Sequence, residues 1–226
     1  MGRRMLVFDM DGVLVDAAAS YREAIRSTVE HFTGRRIASD LIQEYKNRGG
    51  WNNDWALSQR ILRDLGMEVA YQTVVAQFQH VFLGTNGDGL LWRERWIPEE
   101  GLLERLSRRY RLAIFTGRIR PELDITLARF AAGVLFDPTV CTGEIENTKP
   151  APDGLEKIAR LCPDAEILYI GDNVDDARCA GAAGVPFIGV ADPRSPRGEE
   201  LAALFRPEGA IAVIESVNQL EAVFWP

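Results

Sequence analysis

Apolar residues fall along this chain in two textures: short unbroken runs, and longer stretches where they recur every three or four positions. The runs are Met5-Leu6-Val7-Phe8, Leu112-Ala113-Ile114-Phe115, Ile167-Leu168-Tyr169-Ile170, Pro186-Phe187-Ile188-Gly189-Val190 and Ala210-Ile211-Ala212-Val213-Ile214. Runs this short and continuous predict strands buried on both faces. The spacing between them predicts helices from Gly101 to Tyr110, Pro121 to Ala131, Asp153 to Leu161 and Val174 to Ala183. Pro121 suits a first helical turn, and Gly184 suits the residue just past a helix end. Strands alternating with helices predict an α/β fold built on a doubly wound parallel sheet.

Between Asp16 and about Pro98 the alternation stops and the pattern becomes helical only. Tyr21, Ile25, Val29 and Phe32 share one helical face, as do Tyr71, Val74, Val75, Phe78 and Phe82. A further helix is predicted from Asp54 through Leu65 to Gly66. The expected organisation is therefore a core of residues 1–15 and 98–226, with an all-helical cap inserted at 16–97. The return segment Gly84-Thr85-Asn86-Gly87-Asp88-Gly89 is rich in turn residues and reads as a hinge.

Composition narrows the classes of partner. A chain of 226 residues with 46% hydrophobic content can bury a real core. The net charge of −7, with no basic stripe, argues against nucleic acid and for small-molecule partners. No signal-peptide pattern and no apolar stretch of about 20 residues is present, so a cytoplasmic protein without a membrane span is expected. Cys141, Cys162 and Cys179 are odd in number and widely spaced, which indicates neither a disulfide framework nor a zinc site. Only three lysines, Lys46, Lys149 and Lys157, stand against 23 arginines. A lysine kept against that bias can mark a site that needs a compact ammonium. His31 and His80, the only histidines, fall on predicted cap helices and read as structural or exposed.

Three predicted strands end in residues fit for chemistry. The first runs into Asp9-Met10-Asp11-Gly12, two carboxylates two residues apart with a glycine for the turn. The second ends at Thr116-Gly117-Arg118, and a later one at Gly171-Asp172-Asn173-Val174-Asp175-Asp176, preceded by Thr148-Lys149-Pro150. Parallel strands place their carboxyl ends along one edge of the sheet, so these groups can converge. Each piece alone also has a bland reading as a turn, a helix cap or a surface charge.

In this order the pieces resemble the four motifs of the haloacid dehalogenase-like superfamily, the aspartate-nucleophile phosphatases and phosphomutases. The helical insertion after the first motif is similar to the branch with a small helical cap, the phosphoglycolate phosphatase-like enzymes. The resemblance implies a Rossmann-like core. It further implies Asp9 as nucleophile, Asp11 as acid and base, Thr116 as the second-motif hydroxyl, Lys149 as the third-motif lysine, and Asp172 with Asp176 as the acidic pair. Metal binding is implied at Asp9, Asp172 and the backbone carbonyl of Asp11, with Asp176 nearby, and phosphate binding at Thr116, Gly117 and Lys149.

Elementary electrostatics agrees. A carboxylate approaching a phosphate dianion meets a repulsion of roughly 4 kcal/mol per like-charge pair at about 4 Å and an effective dielectric of 20. A divalent cation among the acids would offset it, and hard oxygen ligands point to Mg²⁺. The acid at Asp11 favours phosphoryl transfer over dehalogenation, because a departing halide needs no proton.

Arg118 and Arg120 follow the second motif, where either could reach a substrate carboxylate or second phosphate, or serve only as helix-start charges. In the cap, Tyr45-Lys46-Asn47-Arg48-Gly49-Gly50-Trp51-Asn52-Asn53-Asp54 reads as a loop of cationic, amide and aromatic groups around a glycine turn. Lys46, Arg48 and Asn52 are its candidate substrate contacts. Asn53 or Asp54 can equally cap the next helix, and Asp16 reads as part of the hinge. Asp175 is expected at the site rim or in solvent. The function expected is Mg²⁺-dependent hydrolysis of a small phosphorylated metabolite by a monomer or homodimer. The alternatives are a phosphomutase of sugar phosphates and a non-catalytic binding protein that keeps the fold.

Overall fold

The computed structural model describes residues 4–224. In chain order, β1 (Met5–Phe8) and β2 (Val15–Asp16) lead into four helices: α1 (Tyr21–Thr33), α2 (Ser39–Arg48), α3 (Asp54–Asp64) and α4 (Tyr71–Leu83). After β3 (Arg95–Trp96) come α5 (Leu102–Ser107), β4 (Arg111–Thr116), α6 (Arg120–Phe130), β5 (Thr139–Cys141) and α7 (Asp153–Leu161). The remainder is β6 (Ile167–Gly171), α8 (Val174–Ala183), β7 (Phe187–Val190), α9 (Gly198–Phe205), β8 (Ala212–Ile214) and α10 (Leu220–Phe224).

Six strands form one sheet in the order β5-β4-β1-β6-β7-β8, and every pairing is parallel. β1 lies between β4 and β6, with Phe8 opposite Ile114 on one side and Ile170 on the other. The ends of these three adjacent strands therefore lie side by side. Side chains alternate between faces: Leu6, Phe8, Ile114 and Ile170 join one apolar core, while Met5, Val7, Phe115 and Tyr169 join the other. Helices covering both faces explain why the strands read as unbroken apolar runs.

The chain divides into two compact units, Met1–Val15 with Trp96–Pro226, and Asp16–Arg95. The second unit is helical. Its helices α1, α3 and α4 pack on one another, and Tyr21 meets Phe82 and Phe78 with ring centroids 4.2 and 6.0 Å apart. Asn53 caps α3, its side chain accepting from the N–H groups of Trp55 and Ala56 at 3.0 Å each. In the return segment Asp88 Oδ1 closes a turn by accepting from Thr85 N and Asn86 N.

Several elements differ from the sequence pattern. The stretch from 16 to 97 is not wholly helical, because β2 and β3 pair as a two-stranded ribbon. α2 was not resolved by periodicity, and it takes up the first part of the segment expected to be a cap loop. β5, only three residues long, and α9, only eight, are too short for a pattern to stand out. At α7 and α8 the bounds match; Gly184 ends α8 in the left-handed conformation with φ 66°.

Candidate active site

β1 hands the chain to Asp9, whose N–H still donates to Ile170 O at 2.8 Å and so keeps the residue in register with β6. Immediately after it the backbone folds back, with Leu14 N and Val15 N both donating to Met10 O. Gly12 makes this turn at φ 76°. A Cβ on Gly12 would lie 1.8 Å from Asp172 Oδ2, so the glycine is needed for space as well as for backbone freedom.

Asp9 is 5% exposed. The Lys149 ammonium stands 2.9 Å from Asp9 Oδ1 and 2.8 Å from Asp176 Oδ1. It lies over the Phe115 ring at 4.7 Å and the Tyr169 ring at 5.4 Å, an aromatic floor that suits a cation. Carboxylate oxygens of Asp9, Asp172 and Asp176 lie within 4.8 Å of one another.

Asp176 sits in the first turn of α8. Its Oδ1 accepts from the Tyr169 hydroxyl at 2.7 Å, and its Oδ2 accepts from Asn173 N at 3.0 Å as one half of a capping box. With Lys149 added, three donors already occupy this carboxylate.

Burial is the chief cause of the electrostatic state here. It raises the Asp9 carboxyl well above its ordinary range; Lys149 opposes this, and Asp176, Asp172 and Asp11 add to it. For Lys149 burial works against the charge, but Asp176 and Asp9 outweigh it and hold the ammonium above its usual value. The Tyr169 hydroxyl is likewise raised, first by burial and then by Asp176 and Asp9. The Lys149 charge is thus shared by Asp9 and Asp176. The donors around the remaining space are hard and anionic, a set that fits a divalent cation.

The Asp11 carboxylate is gripped by Arg118. Arg118 Nε donates to Asp11 Oδ2 at 3.0 Å and Nη2 to Oδ1 at 2.6 Å. Arg118, a candidate substrate contact, has a wholly buried side chain that donates to Asp11 and Thr126. Arg120 is tied down as well, donating to Glu144 and Thr139. Thr116 is fully buried and its Oγ1 accepts from Arg118 N at 3.1 Å, while Gly117 between them is exposed. Asp175, expected at the rim or in solvent, is fully buried in the first turn of α8.

The cap candidates belong to the helical unit. Lys46 and Arg48 lie in the last turn of α2 rather than in a loop. Lys46 Nζ is 2.7 Å from Asp54 Oδ1, so its charge is matched within the unit. Arg48 pairs with Glu44 one turn back and covers the Tyr45 ring. Asn52 is half-buried just before the α3 cap. Asp16 accepts from Ala18 N at 2.9 Å. Sequence reasoning passed over Tyr169, Phe115 and Thr126. A hydroxyl in the middle of a buried strand is the signal that could have found Tyr169, since a buried phenol needs a partner.

Comparisons with known proteins extend the picture. The model of the haloacid dehalogenase-like hydrolases matches residues 4–184. The chain is 33% identical over 200 residues to a protein named imidazoleglycerol-phosphate dehydratase from Phytophthora nicotianae, which covers 84% of this chain but only 44% of that protein. It is 28% identical over 230 residues to a phosphoglycolate phosphatase of Cupriavidus necator, across 98% of this chain and 93% of the relative. A solved structure from Bacteroides fragilis, described as a haloacid dehalogenase-like hydrolase, superimposes with a TM-score of 0.76 at 25% identity, covering 96% of this chain and 99% of the other.

Proposed function

Since the chain belongs to the haloacid dehalogenase-like hydrolases, we propose that it is a Mg²⁺-dependent phosphatase of a small phosphorylated metabolite. One observation carries this reading: a buried aspartate at the end of the central strand, with the Lys149 ammonium at 2.9 Å and two further carboxylates beside it. Asp9 and Asp172 would hold Mg²⁺ together with the backbone carbonyl of Asp11. Bound there, the cation offsets the repulsion between carboxylate and phosphate dianion. Asp176, with its oxygens taken by Lys149, Tyr169 and Asn173, serves to hold Lys149 in place.

The steps belong to the chain's own residues. Asp9 attacks phosphorus in line; the bond to the leaving alcohol breaks as Asp11 supplies the proton, leaving an acyl phosphate on Asp9. Water then attacks the same phosphorus and gives its proton to Asp11, the bond to Asp9 breaks, and inorganic phosphate departs. Lys149 offsets charge on Asp9 and on the phosphoryl oxygens, which Thr116 and the backbone N–H groups around Gly117 also bind.

The substrate is sought by measuring phosphate release from phosphoglycolate, sugar phosphates, nucleotides and histidinol phosphate, with Mg²⁺ and again with EDTA. Phosphoglycolate heads the panel because of the name of the Cupriavidus relative. At least one compound is expected to release phosphate, and chelation to stop it. An isomerised sugar phosphate without free phosphate would instead make the protein a mutase. No turnover by folded protein across the panel would leave a binding protein that keeps the fold.

A further inference from the structure

Arg118 is the bulkiest wholly buried side chain among the described residues. Its guanidinium nevertheless makes directed bonds, among them Nε and Nη2 to the two oxygens of Asp11, and Nη1 to Thr126 Oγ1 at 2.7 Å on α6. The side chain of Asp11 keeps 29% exposure, whereas that of Arg118 keeps none. Asp11 thus keeps a face open to a ligand while the Arg118 side chain is turned onto Asp11 and Thr126. Through its guanidinium, Arg118 bears on Asp11 directly.

The backbone around Arg118 is fixed as firmly as its side chain. Arg118 N donates to Thr116 Oγ1, and Thr142 N donates to both Thr116 O and Arg118 O. A buried ion pair is a poor device for stability alone, because desolvation cancels much of the attraction. What a planar fork with two parallel bonds does supply is a fixed angle for the carboxylate it grips. A carboxyl group that delivers a proton in the transition state needs such an angle.

We propose that Arg118, anchored by Thr126, is a positioning residue that fixes the Asp11 carboxylate for proton delivery to the leaving oxygen; this rests on the phosphatase reading above. An alkyl phosphate expels a strongly basic oxygen and needs that proton. A 4-nitrophenyl phosphate expels a weakly basic one and needs it little. Loss of positioning must therefore separate the two substrates, while a general loss of structure must not.

The test compares kcat/KM of the wild type and Arg118→Lys on 4-nitrophenyl phosphate and on the alkyl phosphate turned over fastest in the panel. Lysine keeps the charge and loses the fork. The expected result is a loss with the alkyl ester at least about tenfold greater than with the aryl ester. Equal losses, or none, overturn the proposal while leaving the phosphatase reading intact. A wild type that hydrolyses neither ester removes both. If Arg118→Lys does not fold, Thr126→Val decides by the same ratio: a lowered alkyl-to-aryl ratio supports positioning, and an unchanged ratio overturns it.

Discussion

The Lys149 ammonium and the Asp9 carboxylate are 2.9 Å apart inside the protein, with 1% and 7% of their side chains exposed. Replacing the lysine leaves Asp9 and Asp176 facing each other without the cation between them. Lys149→Met is expected to lower kcat by roughly 10²-fold or more, as loss of a charge that stabilises a transition state typically does. It also breaks a buried ion pair, at a cost of about 3 to 5 kcal/mol. Turnover of an aryl phosphate and urea unfolding check the two parts separately. Lys149→Arg is not expected to restore activity, because a planar fork does not reproduce the compact charge held between Asp9 and Asp176.

Gly12 and Asp172 are coupled through space rather than through a bond. Gly12→Ala is expected to displace the Asp172 carboxylate, since the new methyl would fall 1.8 Å from its Oδ2. Calorimetric titration with Mg²⁺ should show binding weakened by about tenfold or more, in the range seen when groups supporting a ligand are disturbed. Unchanged binding would mean that Asp172 is not held against this turn.

Tyr169→Phe removes one donor from Asp176 and alters little else in volume. The buried carboxylate is left short of a partner, at an expected cost of about 1 to 3 kcal/mol in denaturant unfolding. Activity should fall with it, because Asp176 fixes Lys149.

The three cysteines are buried and free. Burial pushes the Cys141 thiol up to about 11 and the Cys179 thiol up to about 12. Near pH 8 only about one in a thousand Cys141 side chains, and fewer of Cys179, would be thiolate, the reactive form. Folded protein should therefore resist a disulfide reagent at both positions until guanidinium is added, and reactivity should rise as the pH climbs toward those values. Mass spectrometry of the labelled sites reads the outcome.

The sheet was legible because its central strands are buried on both faces and so appear as unbroken apolar runs; Met5–Phe8 and Ile167–Gly171 are clear cases. The acids were legible because strand ends follow directly from such runs. α2 was not, since its buried residues include Gln43 and Asn47, which join side chain to side chain at 2.7 Å instead of presenting an apolar stripe. The pairing of Arg118 was not legible for a related reason. Its partner Asp11 is 107 positions away in sequence, and no local pattern distinguishes a buried guanidinium from a surface one. Lys46 likewise reads as a free cation until Asp54 is found beside it.

The most direct test is the turnover of 4-nitrophenyl phosphate by Asp9→Asn beside the wild type, with Mg²⁺ present and folding checked by circular dichroism. Asparagine preserves the shape of the side chain and removes the attacking carboxylate. Turnover by the variant indistinguishable from uncatalysed hydrolysis, with the wild type active, is the predicted result. Wild-type rates from Asp9→Asn would contradict the account.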